Sequence, residues 1–175
     1  MTVLDRIAAA LARATILVAA AAVVIMTLHV AAGVICRSVF GVSLTGTVEV
    51  VSYYYMVFIA FAPWAFAQWM HEHIAVDALV GLMPDWMRAA TQVAAALASL
   101  LVIGVVTWAL ADQAIRQTGY GEHVVSGAVD VPVWPARWIA VAGAAAMIVV
   151  LAAQLANPAA AGRQKHARRE EGTLL

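Results

Sequence analysis

Charged residues punctuate this chain and leave four long uncharged stretches between them, 14–36, 50–71, 89–111 and 138–162. At about 1.5 Å of rise per residue, a helix of about 23 residues covers about 34 Å, enough to cross a hydrocarbon core of about 30 Å. The pattern predicts an all-α integral membrane protein with four transmembrane helices, at about 14–36, 50–71, 89–111 and 138–158. These form one membrane domain over 1–162, followed by a polar tail over 163–175.

The connection over 70–88 carries its own pattern. As a helix from His73 it gathers Ala75, Val76, Leu79, Val80, Leu82 and Met83 on one arc and His73, Asp77 and Gly81 on the other. That division predicts a short interfacial amphipathic helix between the second and third spans, lying at the headgroups. His73 and Asp77 are four residues apart, the spacing at which side chains meet on a helix surface or stand separately in solvent. Pro84 ends the segment and suits the first turn of the third span. Pro63, inside the second span, removes a backbone donor and predicts a kink.

Composition narrows the class. Hydrophobic residues make up 65% of the chain and charged residues 11%, which excludes a water-soluble core. A formal charge of zero leaves no footprint for nucleic acid. The single cysteine, Cys36, has no intrachain partner, and no Cys/His spacing suggests a metal site. Arg6 and Arg13 give the chain a basic start, but the uncharged run after them exceeds the about 7–15 residues of a signal-peptide core, so it reads as a retained helix.

Charge asymmetry supplies an orientation. Arg6, Arg13, Arg88, Arg163, Lys165, Arg168 and Arg169 fall on one side of the predicted membrane, against Arg37, Arg116 and Arg137 on the other. The positive-inside rule then places both termini in the cytoplasm and turns the 37–49 and 112–137 connections outward. Trp69 and Trp86 mark the inner interface and Trp108, Trp134 and Trp138 the outer one. The basic tail also suits anionic membrane lipid, at about 1 kcal/mol per residue near the surface.

Within the spans the notable polar residues are Thr27, His29, Ser99, Thr107 and Gln154, with no carboxylate among them. Transporters that act alone hold ionisable or discontinuous elements near midplane, so this chain reads as a supporting subunit. Two rival classes make different demands. A membrane anchor of a quinone- or haem-linked redox complex needs facing histidines in the bilayer, where only His29 is partly embedded. A small self-contained exporter needs a buried ionisable group or an oligomeric pore. No catalytic constellation and no cofactor site is assembled by the sequence, so no enzyme is expected.

Three motifs then occur in order. Arg37-Ser38-Val39-Phe40-Gly41 leads to Glu49 after the first span, His73-Ile74-Ala75-Val76-Asp77 follows the second, and Pro132-Val133-Trp134 precedes the fourth. Together with length and span count, they resemble the small membrane subunit of tripartite ATP-independent periplasmic (TRAP) transporters, the DctQ-like family. The chain departs from that pattern at Gly46-Thr47, where the family often has an aromatic residue, and at Ala62-Pro63-Trp64-Ala65, where it often has glycine.

The resemblance implies a bacterial inner-membrane protein paired with a large TRAP membrane subunit that holds the substrate and sodium sites. A periplasmic substrate-binding protein would deliver an organic acid such as a C4-dicarboxylate, and an ion gradient would drive uptake. In that frame Arg37 and Glu49 are expected either to clasp the outer ends of the first two spans, worth about 0–1 kcal/mol if exposed, or to stand as separate interfacial charges. His73 and Asp77 are expected on the partner's inner face or on lipid, and Pro132 and Trp134 at the entry to the fourth span. The 112–137 connection, with Arg116, Tyr120, Glu122, His123 and Asp130 loosened by Gly119, Gly121 and Gly127, is expected to be a solvated connector or a contact for the binding protein.

Overall fold

The uncharged stretches fold as helices that run past their charged boundaries. The computed structural model describes residues 3–42, 44–70, 84–126 and 129–156. In chain order the helices are α1 (Val3–Phe40), α2 (Thr47–Trp69), α3 (Asp85–Tyr120) and α4 (Trp134–Ala156), and all four contain stretches long and apolar enough to cross a bilayer. The amphipathic segment expected after His73, with His73 and Asp77, and the tail over 163–175 lie outside the described residues.

Local chemistry accounts for the helix ends. Asp5 stands in the first turn of α1 and Arg37 in its last, each favourable to the helix dipole. Pro84 is extended (φ −62°, ψ 154°) and occupies the N-cap of α3, where its missing donor costs nothing. At the other end of α3, Gly121 takes the left-handed conformation (φ 60°), which a residue with a Cβ adopts at a penalty. Its N–H donates to the Thr118 carbonyl (3.2 Å) and that of Glu122 to the Gln117 carbonyl (3.0 Å), the double bond of a Schellman stop.

Helix α2 is less regular. A wide π turn occupies Val51–Tyr55, and Pro63 interrupts the hydrogen-bond ladder between Met56–Phe61 and Pro63–Trp69. Ala62 nevertheless keeps helical dihedrals (φ −62°, ψ −38°), so the chain continues through the break.

Helix α4 is central and packs against each of the other three. One core cluster joins Ala8 and Ala12 of α1, Ala65 of α2 and Ala146, Val150 and Ala153 of α4, with Leu11, Phe66 and Trp69 around it. A second joins Ile103 of α3 to Ala144 and Leu151 of α4, with Trp64 and Leu110 packed alongside. Lipid tails compete as apolar neighbours, so helices in a membrane associate through close van der Waals approach, and small residues permit it. Such a close approach occurs at Gly143, where an added Cβ would lie 2.6 Å from the Phe61 carbonyl oxygen.

The described residues of the 112–137 connection, expected as a solvated connector or a contact for the binding protein, form regular structure. Residues 112–120 complete α3, and β1 (His123–Ser126) pairs antiparallel with β2 (Val129–Pro132), His123 opposite Pro132 and Val125 opposite Asp130. The backbone groups that a solvated loop would leave to water are used in the helix stop and in this ribbon.

Candidate interaction site at the hairpin end

The ribbon is fastened to the helices by one residue in particular. Besides closing α3 with its N–H, Glu122 accepts hydrogen bonds at its carbonyl from Val133 (2.8 Å) and Trp134 (3.3 Å), the start of α4. Its carboxylate receives Arg137 Nε at 2.5 Å and Arg137 Nη2 at 2.6 Å. The guanidinium fork matches the two carboxylate oxygens, so the pair sets orientation as well as attraction. Both side chains are about a quarter exposed, at 26% each. The hydrogen bonds from Arg137 hold the Glu122 carboxyl below the ordinary range, outweighing the opposing push of partial burial.

Two of the three consecutive tyrosines in the π turn reach different elements. Tyr54 donates its hydroxyl to the Pro132 carbonyl at the end of β2 (2.6 Å). The Tyr55 hydroxyl and His29 Nδ1 of α1 are 3.3 Å apart, and the rings meet edge-on with centroids 5.9 Å apart. Successive side chains point in different directions around a helix, which is how adjacent Tyr54 and Tyr55 serve two neighbours.

Gly46 completes the assembly from the α1–α2 connection. Its φ of 89° suits glycine, and its Cβ position faces Val131 at 3.7 Å and Val129 at 3.8 Å. Val131 and Val133 are buried. By strand alternation His123, Val125 and Asp130 take the other face of the ribbon. There His123 Nε2 lies 3.9 Å from Asp130 Oδ2, and Val125 is exposed. Trp138 donates its indole N–H to Thr118 Oγ1 (3.0 Å), a second tie between α3 and α4, while Arg116 pairs with Asp112 along the α3 surface.

A smaller polar group closes the opposite end of the bundle. Gln68 Nε2 donates to Gln154 Oε1 (2.7 Å), and Gln154 Nε2 returns a bond to the Gln68 carbonyl (3.0 Å), an acceptor in the last turn of α2. Gln68 is buried, and so is Asp5 on α1, one turn before Ala8 of the same core.

Several residues singled out in the sequence lie near the hairpin end without being joined. Arg37 is exposed in the last turn of α1 and Glu49 half-buried in the first turn of α2. Among the described residues no ion pair connects them, so the clasp is absent here and each charge stands at its own helix end. Pro132 supplies a backbone acceptor for Tyr54, and Trp134 opens α4. Missed in the sequence were the Glu122–Arg137 fork, the Gln68–Gln154 pair and the role of Tyr54. No group of three His, Cys, Asp or Glu side chains comes together among the described residues.

Comparison with known proteins bears on most of the chain. The family model described as tripartite ATP-independent periplasmic transporters, DctQ component, matches residues 26–161. No curated protein and no solved structure matches. The matched region begins within α1 and includes α2, α3, the ribbon and α4, so it holds the hairpin end and the core except for Ala8, Leu11 and Ala12 of α1. With its four apolar helices and a match over most of its length, the chain belongs to the DctQ component family of TRAP transporters, as a small multi-pass membrane subunit.

Proposed function

We propose that this subunit braces the large membrane subunit of a TRAP-type secondary transporter during ion-gradient-driven uptake of an organic acid, such as a C4-dicarboxylate, delivered by a periplasmic binding protein. The observation that carries the reading is the family match taken together with the polar contacts of the helices. The side-chain pairs His29–Tyr55, Thr118–Trp138 and Gln68–Gln154 each tie one helix to another. Such a bundle is equipped to hold shape and leaves substrate recognition to a companion.

In this reading the membrane is the bacterial inner membrane, the termini are cytoplasmic and the ribbon is periplasmic, in keeping with the distribution of Arg and Lys. The ribbon face bearing His123, Val125 and Asp130 then points toward the delivering protein. Arg37, Glu49, Pro132 and Trp134 belong to the periplasmic rim, and His73 and Asp77 to the cytoplasmic face that meets the large subunit.

The test is reconstitution. Vesicles holding this chain and its large subunit, with the binding protein outside, should accumulate a labelled C4-dicarboxylate under an imposed sodium gradient, and omission of this chain should abolish uptake. Accumulation by this chain without the large subunit would overturn the proposal.

A further inference from the structure

The carboxylates at the hairpin end are matched unevenly. Glu122 is taken by the Arg137 fork, and Asp112 by Arg116 four residues on. The ion-pair partner of Asp130 among the described residues is His123, at 3.9 Å and beyond hydrogen-bond reach. Histidine carries its charge only part of the time near neutral pH, so Asp130 lacks the permanent cation that the other two carboxylates possess.

The geometry also fixes the form of the histidine. His123 Nδ1 lies 2.9 Å from the Gly121 carbonyl oxygen, and a carbonyl can only accept, so the proton of the neutral ring sits on Nδ1. Nε2 then presents a lone pair, and it is Nε2 that stands beside the Asp130 carboxylate. Two acceptors thus lie side by side, and they do not satisfy each other.

An apolar ledge adjoins them. Val125 is directly opposite Asp130 in the ribbon register, shares a face with His123 and is 67% exposed. The His123 and Asp130 side chains are themselves 55% and 63% exposed. From behind, the ribbon is held by Val131 against Gly46 and by the Tyr54 hydroxyl on the Pro132 carbonyl, so the outward trio sits on a fastened support. A ledge that ends at two acceptors suits a long basic side chain, whose methylene stem packs on Val125 while its charged head donates to both.

We infer that His123, Val125 and Asp130 form a docking point for a lysine or arginine side chain of the periplasmic binding protein. This rests on the reading of the chain as a TRAP subunit with its ribbon in the periplasm. An exposed contact of one charge acts mainly on the rates of encounter and release, which fits a protein that must arrive, deliver and leave.

The complex of this chain with its large subunit, held in phosphatidylcholine nanodiscs, is presented with the transporter's binding protein, and association and release are timed by surface plasmon resonance. Asp130→Asn should slow association and Asp130→Lys should slow it further, by about tenfold at low salt, with both differences shrinking as salt screens them. His123→Leu should speed release, since one of the two acceptors is lost. Amide exchange over 123–132, expected to match the wild type in each variant, separates a lost contact from a folding defect. A photoreactive residue in place of Val125 should crosslink to the binding protein. Crosslinking to the large subunit in its stead would overturn the inference, as would association that is indifferent to the charge at position 130. Failure of the chain to co-purify with a large membrane subunit would count against the subunit reading, whereas a complex that forms and receives the binding protein equally well in all variants would sink the docking point alone.

Discussion

Glu122 and Arg137 meet through two parallel hydrogen bonds of 2.5 and 2.6 Å, joining the residue that terminates α3 to the first turn of α4. Because the backbone of Glu122 also closes one helix and opens the next, a single position controls the corner from which the ribbon projects. Replacement of Arg137 by Ala removes the fork and leaves a half-buried carboxylate without its partner. The expected cost is about 1.5–3 kcal/mol, the range for hydrogen bonds to charged groups, read as a lower Tm in detergent. An unchanged Tm would show that the pair is incidental.

The same pair predicts a pH dependence. The Glu122 carboxyl is held below its ordinary value by the hydrogen bonds from Arg137, so folding favours its ionised form. Its contribution is complete above the unfolded-state value, about 4.3 for a glutamate, and is lost as pH falls through the lower folded-state value. Thermal unfolding as a function of pH should therefore decline less steeply on the acid side for Glu122→Gln than for the wild type. Parallel acid limbs would contradict the assignment.

At Gly143 the argument is steric. A methyl group there would collide with the Phe61 carbonyl, an atom of the α2 backbone that cannot rotate away. Gly143→Ala should push α2 and α4 apart and cost about 1–3 kcal/mol, the usual range for overpacking. Ala142→Gly, at an exposed position one residue earlier, serves as the control and should lose no more than about 1 kcal/mol of helix propensity. A larger loss at the control than at Gly143 would refute the crossing-point reading.

The Gln68–Gln154 pair should respond to an apolar replacement that keeps the size. Gln154→Leu leaves the Gln68 amide and the last-turn carbonyl of α2 without this partner, and interhelical hydrogen bonds in membranes are worth about 0.6–2 kcal/mol. The double variant with Gln68→Leu should recover part of the loss, since neither amide is then left unmatched. Strictly additive losses in Tm would show that the two side chains do not interact.

Loss of the Tyr54 hydroxyl should loosen the ribbon locally. In Tyr54→Phe the Pro132 carbonyl loses its donor while the ring stays in place, so amide hydrogen exchange should rise over 123–132 and stay unchanged in α4 beyond its first turns. Exchange that is indifferent to the substitution would detach Tyr54 from the ribbon.

Much of the architecture is legible without coordinates because hydrocarbon is an exacting solvent. A spanning helix must satisfy its own backbone and present about 20 apolar residues, and both demands are written locally, so the four spanning helices and the membrane class follow from the chain alone. The family motifs are local as well, and the family match over 26–161 agrees with them.

What the tertiary structure decided is pairing across long separations. Nothing near Glu122 announces Arg137, fifteen positions on, and nothing near Gln68 announces Gln154, so polar residues that read as solvated or solitary become the ties of the bundle. Arg37 and Glu49 show the converse, two charges placed close by the motif yet unjoined in the fold. Hydropathy reports the transfer of a segment from water to lipid, a property of that segment by itself. A hydrogen bond or a close crossing depends on the rotation and height of two helices relative to each other, and in this chain those were set by alanine and glycine contacts along α4 that no single stretch encodes.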